Sequence, residues 1–317
     1  MSSEPVGRFA PSPSGRMHLG NALCALLAWL SAKSRGGRIV LRIEDLDPAR
    51  CRREYALQLM DDLAWLGLSW DEGPQAGGAN GPYFQSECAH LYAAALKTLR
   101  EKAPVYECFC TRADLHAASA PHLSDGTVLY SGRCRALPKE ERARLAAAGR
   151  RSALRIAVPD ETVRFTDGHL GPFSQNLAAE CGDFILRRSD GVFAYQLAVV
   201  VDDARMGVTQ VVRGQDLLSS TPRQMYLQRL LGLPQPQYFH IPLLVNAAGQ
   251  RLSKRDRALD FGALRARFSP QEVLGELAAL AGLLERPRPV CCGELAQLFS
   301  WDKVPARPVE VPARLLT

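Results

Sequence analysis

Val6-Gly7-Arg8-Phe9-Ala10-Pro11-Ser12-Pro13-Ser14-Gly15-Arg16-Met17-His18-Leu19-Gly20-Asn21 begins as a short apolar run and turns through two prolines and a glycine. It then enters an Ala- and Leu-rich pattern that predicts a helix from His18 to about Ser34, with Gly36-Gly37 placed to end it. Arg38–Ile43 reads as a strand, followed by the acidic turn Glu44-Asp45-Leu46-Asp47-Pro48. Strand–helix–strand is the opening unit of a nucleotide-binding sheet, so the expected class is α/β, a Rossmann-type doubly wound parallel sheet.

Further helices are predicted at Glu54–Leu66 and Glu87–Lys102. Between Val105 and Ala153 the pattern changes to closely spaced cysteines and then a Lys/Glu/Arg-rich helix, which reads as an insertion. The sheet is expected to resume after it, most clearly at Val208–Val212. Thr221-Pro222-Arg223-Gln224 opens a helix with Thr221 as its expected N-cap. Tyr238–Val245 reads as a strand, and Asn246-Ala247-Ala248-Gly249 as the turn before Arg251-Leu252-Ser253-Lys254-Arg255. The expected division is 1–104 and 153–257 for the two halves of the sheet domain, 105–152 for the insertion, and 258–317 for a short helical tail.

The composition is that of an ordinary globular chain: 317 residues, 47% hydrophobic and 23% charged, with a formal charge of +6 that hints weakly at an anionic partner. Ala22–Leu30, the longest apolar stretch near the start, is too short to span a bilayer and follows no basic region. A cytoplasmic monomer without membrane association is expected. Nine cysteines, an odd number, argue against a disulfide framework.

Two segments carry chemistry. Around His18 a helix start offers unpaired N–H groups and a positive dipole end, which suit phosphate. Gly20 leaves room for a flat base, and His18 can donate to a phosphate oxygen; the plainer alternative is a proline turn before a core helix. Arg251–Arg255 puts three cations in five residues, which alone would be a solvated loop. Together, as His-Leu-Gly-Asn and Arg-Leu-Ser-Lys-Arg, they resemble the paired HIGH-type and KMSKS-type signatures of class I aminoacyl-tRNA synthetases. The resemblance implies ATP with Mg2+ as co-substrate, His18 and Lys254 as catalytic residues, and His18, Gly20, Asn21, Ser253 and Lys254 as ATP contacts. Arg251 replaces the usual first lysine and Asn21 the fourth residue of the first motif.

Arg8-Phe9-Ala10-Pro11-Ser12-Pro13, Leu41-Arg42-Ile43-Glu44-Asp45 and Val212-Arg213-Gly214 resemble the glutamyl branch of that class. L-glutamate presents an ammonium and two carboxylates. Glu44 suits the ammonium, and Arg8 and Arg213 suit the carboxylates through forked hydrogen bonds. Phe9, Ala10, Pro11, Ser12 and Tyr195 complete the implied glutamate site. Each has a duller reading: Glu44 as a solvated turn, Tyr195 as a core strand residue, Arg213 as a surface ion pair. Arg213 also argues against glutamine, because a buried guanidinium favours a charged partner.

A full glutamyl-tRNA synthetase resembles this chain and continues into an anticodon-binding region, whereas here only Asp256–Thr317 follows the basic loop. In that respect the chain resembles the short glutamyl-Q tRNA(Asp) synthetases. The resemblance implies glutamate activation without tRNA, then transfer to queuosine in the anticodon loop of tRNA(Asp). The alternatives are a truncated synthetase charging a tRNA 3′ end, an ATP-dependent ligase with a small acceptor, and a zinc-bearing nucleic-acid-binding module with a dead site.

Cys108-Phe109-Cys110 and Tyr130-Ser131-Gly132-Arg133-Cys134 form the one tight cysteine group. Three thiolates with one further ligand make a tetrahedral zinc shell, and the alternative is three free thiols. The family resemblance implies Zn2+ on Cys108, Cys110, Tyr130 and Cys134, although His116 or His122 would be a more ordinary fourth ligand.

Overall fold

In the computed structural model, which describes residues 4–111, 113–114, 129–251 and 260–316, the strands are β1 (Val6–Phe9), β2 (Arg38–Leu41), β3 (Val105–Cys108), β4 (Ala153–Ile156), β5 (Thr162–Asp167), β6 (Gly171–Asn176), β7 (Phe184–Arg187), β8 (Gln210–Gly214), β9 (Gln237–Ile241), β10 (Leu244–Val245) and β11 (Val309–Glu310). The main helices are α1 (Leu19–Lys33), α2 (Arg53–Trp65), α3 (Ala89–Lys102), α4 (Lys139–Ala147), α5 (Tyr195–Arg205), α6 (Thr221–Leu231), α7 (Phe261–Arg267), α8 (Pro270–Leu280) and α9 (Cys292–Leu298).

A four-stranded parallel sheet runs in the order β2-β1-β8-β9. The chain leaves β1 toward β2 on one side and later returns to β8 on the other, so the strand order switches direction between β1 and β8. Ligands of open α/β sheets bind at such a point, beyond the carboxyl ends of the strands. Helix α1 buries Leu19, Ala22, Leu23, Leu26, Leu27 and Leu30. Its apolar residues point almost all round, as a central helix requires. It stops where Gly36 takes a left-handed backbone conformation (φ 72°).

Two expectations are corrected. Ala153–Ile156 does not resume the parallel sheet; it pairs antiparallel with β3, Cys108 opposite Ala153, and with β7. An apolar run identifies a strand but not its partner, and the parallel sheet resumes only at β8. Thr221 does not cap its helix: it is the first residue of α6, after Ser220, which makes no side-chain cap bond. Its hydroxyl is fully buried and accepts from Arg213 instead.

The tail is helical, as expected, and also supplies β11, which pairs in parallel with β10. Trp301 stacks on Phe239 of β9 at 4.7 Å, and Leu295, Val304, Val311 and Leu315 join the same core as α1. A second core lies among Tyr92, Leu96 and Leu99 of α3, Val199 of α5 and Leu227 of α6. No described helix is long and apolar enough to cross a membrane.

Candidate active site

At the switch point lies a cavity of about 430 Å³. β1 and the turn after it bring Arg8, Phe9, Ala10, Pro11 and Ser12 to its wall; the start of α1 brings His18, Gly20 and Asn21. Glu44 enters from the loop after β2, Tyr195 from the first residue of α5, and Arg213 from the end of β8. Tyr195 therefore sits at a helix start rather than in a strand. Ser253 and Lys254 lie outside the described residues, as do His116 and His122. The described flanks of the basic segment, Arg251 and Asp260, lie at the cavity wall and against the backbone of His18 respectively. Arg251 pairs with Asp216 at 2.9 Å, and the Asp260 contact is a backbone bridge.

His18 is the N-cap of α1. Its Nδ1 accepts from the Asn21 backbone N–H at 3.3 Å, and the Asn21 side chain accepts from the His18 N–H at 3.3 Å. This reciprocal box accounts for asparagine at the fourth motif position. A neutral imidazole that accepts at Nδ1 carries its proton on Nε2, so the cap sets the tautomer that can donate to a phosphate. Gly20 serves the same ring: a Cβ there would stand 3.2 Å from His18 Cε1.

On the acidic side, fully buried Arg42 pairs with Asp203 at 2.7 Å and Glu44 at 3.1 Å. Arg8 donates to the Val212 carbonyl at 2.8 Å, with its Nε 3.7 Å from Asp203. Burial alone would lower the Arg42 pKa, but Asp203 and Glu44 outweigh it and hold the guanidinium above its ordinary value. Burial pushes the Glu44 carboxyl up, against the opposing pull of Arg42 and Arg8. A cation arriving beside Glu44 would favour its charged form. Arg42 and Asp203 were missed from the sequence. The available signal was charge embedded in apolar runs, Arg42 in the strand predicted over Arg38–Ile43 and Asp202-Asp203 after Leu197–Val201, where charge demands a partner.

Arg213 is held by neutral acceptors. Nη1 donates to Gln224 Oε1 at 2.7 Å and lies 3.4 Å from the Tyr195 hydroxyl; Nη2 donates to Thr221 Oγ1 at 2.7 Å, and Nε to His240 Nε2 at 3.0 Å. Among the described residues it forms no ion pair, which removes the surface-ion-pair reading. Its charge remains available to an anion in the cavity. Thr221 and Gln224, three apart on one helix face, were a legible signal for this anchor. The cavity thus combines two buried guanidiniums, one carboxylate and an N–H-rich helix start. That set matches an amino acid with a second carboxylate beside a phosphate chain.

The Cys108, Cys110 and Cys134 sulfurs lie within 4.8 Å of one another. The Tyr130 hydroxyl stands 3.5 Å from Cys108 Sγ and 3.9 Å from Cys110 Sγ, and it accepts from the Cys134 N–H at 2.8 Å. Sulfurs about 3.8 Å apart are what a tetrahedral shell with zinc–sulfur bonds of ~2.3 Å needs, so these residues fit the ion.

The family model for the catalytic domain of class I tRNA synthetases (E and Q) matches residues 6–286. The chain is 52% identical over 313 residues to the glutamyl-Q tRNA(Asp) synthetase of Symbiobacterium thermophilum, covering 98% of this chain and 97% of that one. A protein of the same name from Nitratidesulfovibrio vulgaris is 51% identical, with 98% and 96% covered. Glutamate–tRNA ligase 2 of Alkalilimnicola ehrlichii is 48% identical over 86% of this chain but only 58% of its own length. Among solved structures, a glutamate tRNA ligase from Elizabethkingia meningosepticum, in complex with its amino acid, superposes with a TM-score of 0.84 at 28% identity. The match covers 99% of this chain and 68% of that one.

Proposed function

The chain belongs to the class I tRNA synthetases of the E and Q type, and on that premise we propose that it activates L-glutamate with ATP in the absence of tRNA and then transfers the glutamyl group to queuosine in tRNA(Asp). The observation that carries the reading is the joint placement of Arg8, Glu44 and Arg213 around the cavity that also holds the start of α1. Glu44 receives the ammonium and the two guanidiniums receive the carboxylates, with Phe9, Ala10, Pro11, Ser12 and Tyr195 shaping the wall.

The α-carboxylate then attacks the α-phosphorus of ATP, and pyrophosphate leaves; in the transfer a hydroxyl of queuosine attacks the acyl carbon, gives up its proton, and AMP leaves. His18 donates from Nε2 to phosphoryl oxygens that gain charge, and Ser253 and Lys254 meet the phosphates from the basic loop. Gly20 and Asn21 form the floor for the nucleotide. Magnesium accompanies ATP and neutralises phosphate charge. Cys108, Cys110, Cys134 and Tyr130 are assigned to a structural zinc ion, which would clasp the loop after β3. Alignment over 97% of a relative named for the queuosine reaction supports the acceptor.

The test is glutamate-dependent ATP–pyrophosphate exchange without tRNA, then transfer to tRNA(Asp) with and without queuosine. Exchange followed by labelling of queuosine-bearing tRNA alone is expected. No exchange with glutamate would overturn the activation step. Labelling of a queuosine-free tRNA 3′ end would replace the acceptor with that of a truncated synthetase.

A further inference from the structure

Arg213 is held from behind by a second buried pair. In the sheet register it lies opposite His240, and its Nε donates to His240 Nε2 at 3.0 Å. On the far side of the ring, Nδ1 lies 2.6 Å from Asp167 Oδ2 at the end of β5. The other Asp167 oxygen accepts the backbone N–H groups of His169, Leu170 and His240 at 3.0, 2.9 and 3.2 Å. His240 is 0% exposed, Asp167 2% and Arg213 3%.

An arginine Nε–H can only donate, so His240 Nε2 must accept, and the ring proton must sit on Nδ1, facing Asp167. We propose that Asp167 and His240 are positioning residues for the substrate carboxylate: Asp167 selects one imidazole tautomer, and that tautomer fixes the guanidinium of Arg213 at the cavity wall. The proposal rests on the reading that Arg213 grips a carboxylate of glutamate. A neutral ring is the suitable anchor here. A carboxylate in direct contact with Arg213 would form an ion pair and compete with the substrate, whereas the imidazole orients the guanidinium and leaves its charge uncancelled.

Asp167→Asn isolates the effect. It retains Oδ1 for the three backbone donors but replaces Oδ2 with an NH2 group. The neutral ring then lies between two donors and can accept from only one, so the new NH2 group competes with Arg213 for the ring's single acceptor, and with the proton on Nε2 two donors face each other across the His240–Arg213 contact. The expected result is a rise in KM for glutamate of about tenfold or more, the scale of one buried hydrogen bond left unmade, with KM for ATP unchanged. Discrimination against glutamine should fall in parallel.

His240→Gln supplies an acceptor without tautomers, so Asp167→Asn added to it should have little further effect. 15N NMR of His240 should show the proton on Nδ1 in the wild type and a mixture of the two tautomers in Asp167→Asn. The proposal is overturned by wild-type KM for glutamate in Asp167→Asn. It is equally overturned by a wild-type His240 that carries its proton on Nε2, by an equal rise in KM for ATP, or by full additivity with His240→Gln. Absence of any glutamate-dependent exchange in the wild type would count against the functional reading, while the NMR result would still decide the tautomer.

Discussion

Glu44 concentrates the electrostatics of the site: a buried carboxyl beside two guanidiniums that burial nevertheless lifts above the ordinary glutamate range. The groups facing it are Arg42, Arg8 and Asp203. As pH falls through that raised value, Glu44 takes up a proton and would lose the ammonium contact proposed for it. The kcat/KM for glutamate in the exchange assay should therefore decline at a pH above ~4.3, the ordinary glutamate value, with KM for ATP flat. The linkage sign is the reverse of an ordinary paired carboxylate. The folded chain binds this proton more tightly than the unfolded chain, so the contribution to stability is present below the ordinary value and lost as pH rises through the raised one. Glu44→Gln should accordingly be inactive yet no less stable in urea at neutral pH. That Arg8, Glu44 and Arg213 line one cavity was foreseeable from the motifs they sit in. Arg42, Asp203, His240 and Asp167 were not, since the partner that gives each its meaning lies on another element far along the chain.

His18 caps helix α1 and lines the cavity, and substitutions can separate the cap from the donor role proposed for its Nε2. Asparagine is a good N-cap whose amide N–H groups stop short of the position of the imidazole Nε2, so His18→Asn should stay within about 0.5 kcal/mol of the wild type in urea unfolding, whereas His18→Ala should lose about 1 kcal/mol. Both should slow exchange by about a hundredfold or more, the scale of one lost donor to developing charge. Equal activity in Asn and wild type would leave His18 as a cap alone. The extents of α1, α2 and α3 were readable from periodicity and stop signals within a residue or two. Strand partnership was not: β4 has the same apolar character as a strand of the parallel sheet, and only the folded chain pairs it with β3. Thr221 misled for a related reason, since a good capping residue was taken by a stronger demand from a buried guanidinium.

Across the whole molecule, the β3–β4–β7 sheet carries a small cluster of Tyr106, Cys108, Tyr130, Cys134 and Ala157, set apart from the core around α1. Metal analysis of the purified chain should find about one zinc per molecule. Cys134→Ser should lower that content and the unfolding temperature, while glutamate-dependent exchange at low temperature persists. Full metal retention in this variant would remove Cys134 from the shell. The order β2-β1-β8-β9 has a consequence for biosynthesis. Arg8, His18 and Glu44 leave the ribosome long before Arg213 and His240, and β1 must wait for β8 with one edge open. β10 likewise waits for β11, near the end of the chain. A nascent chain paused between these points holds part of the cavity wall and an unpaired strand edge, the kind of surface that chaperones shield and that joins neighbouring chains when left uncovered.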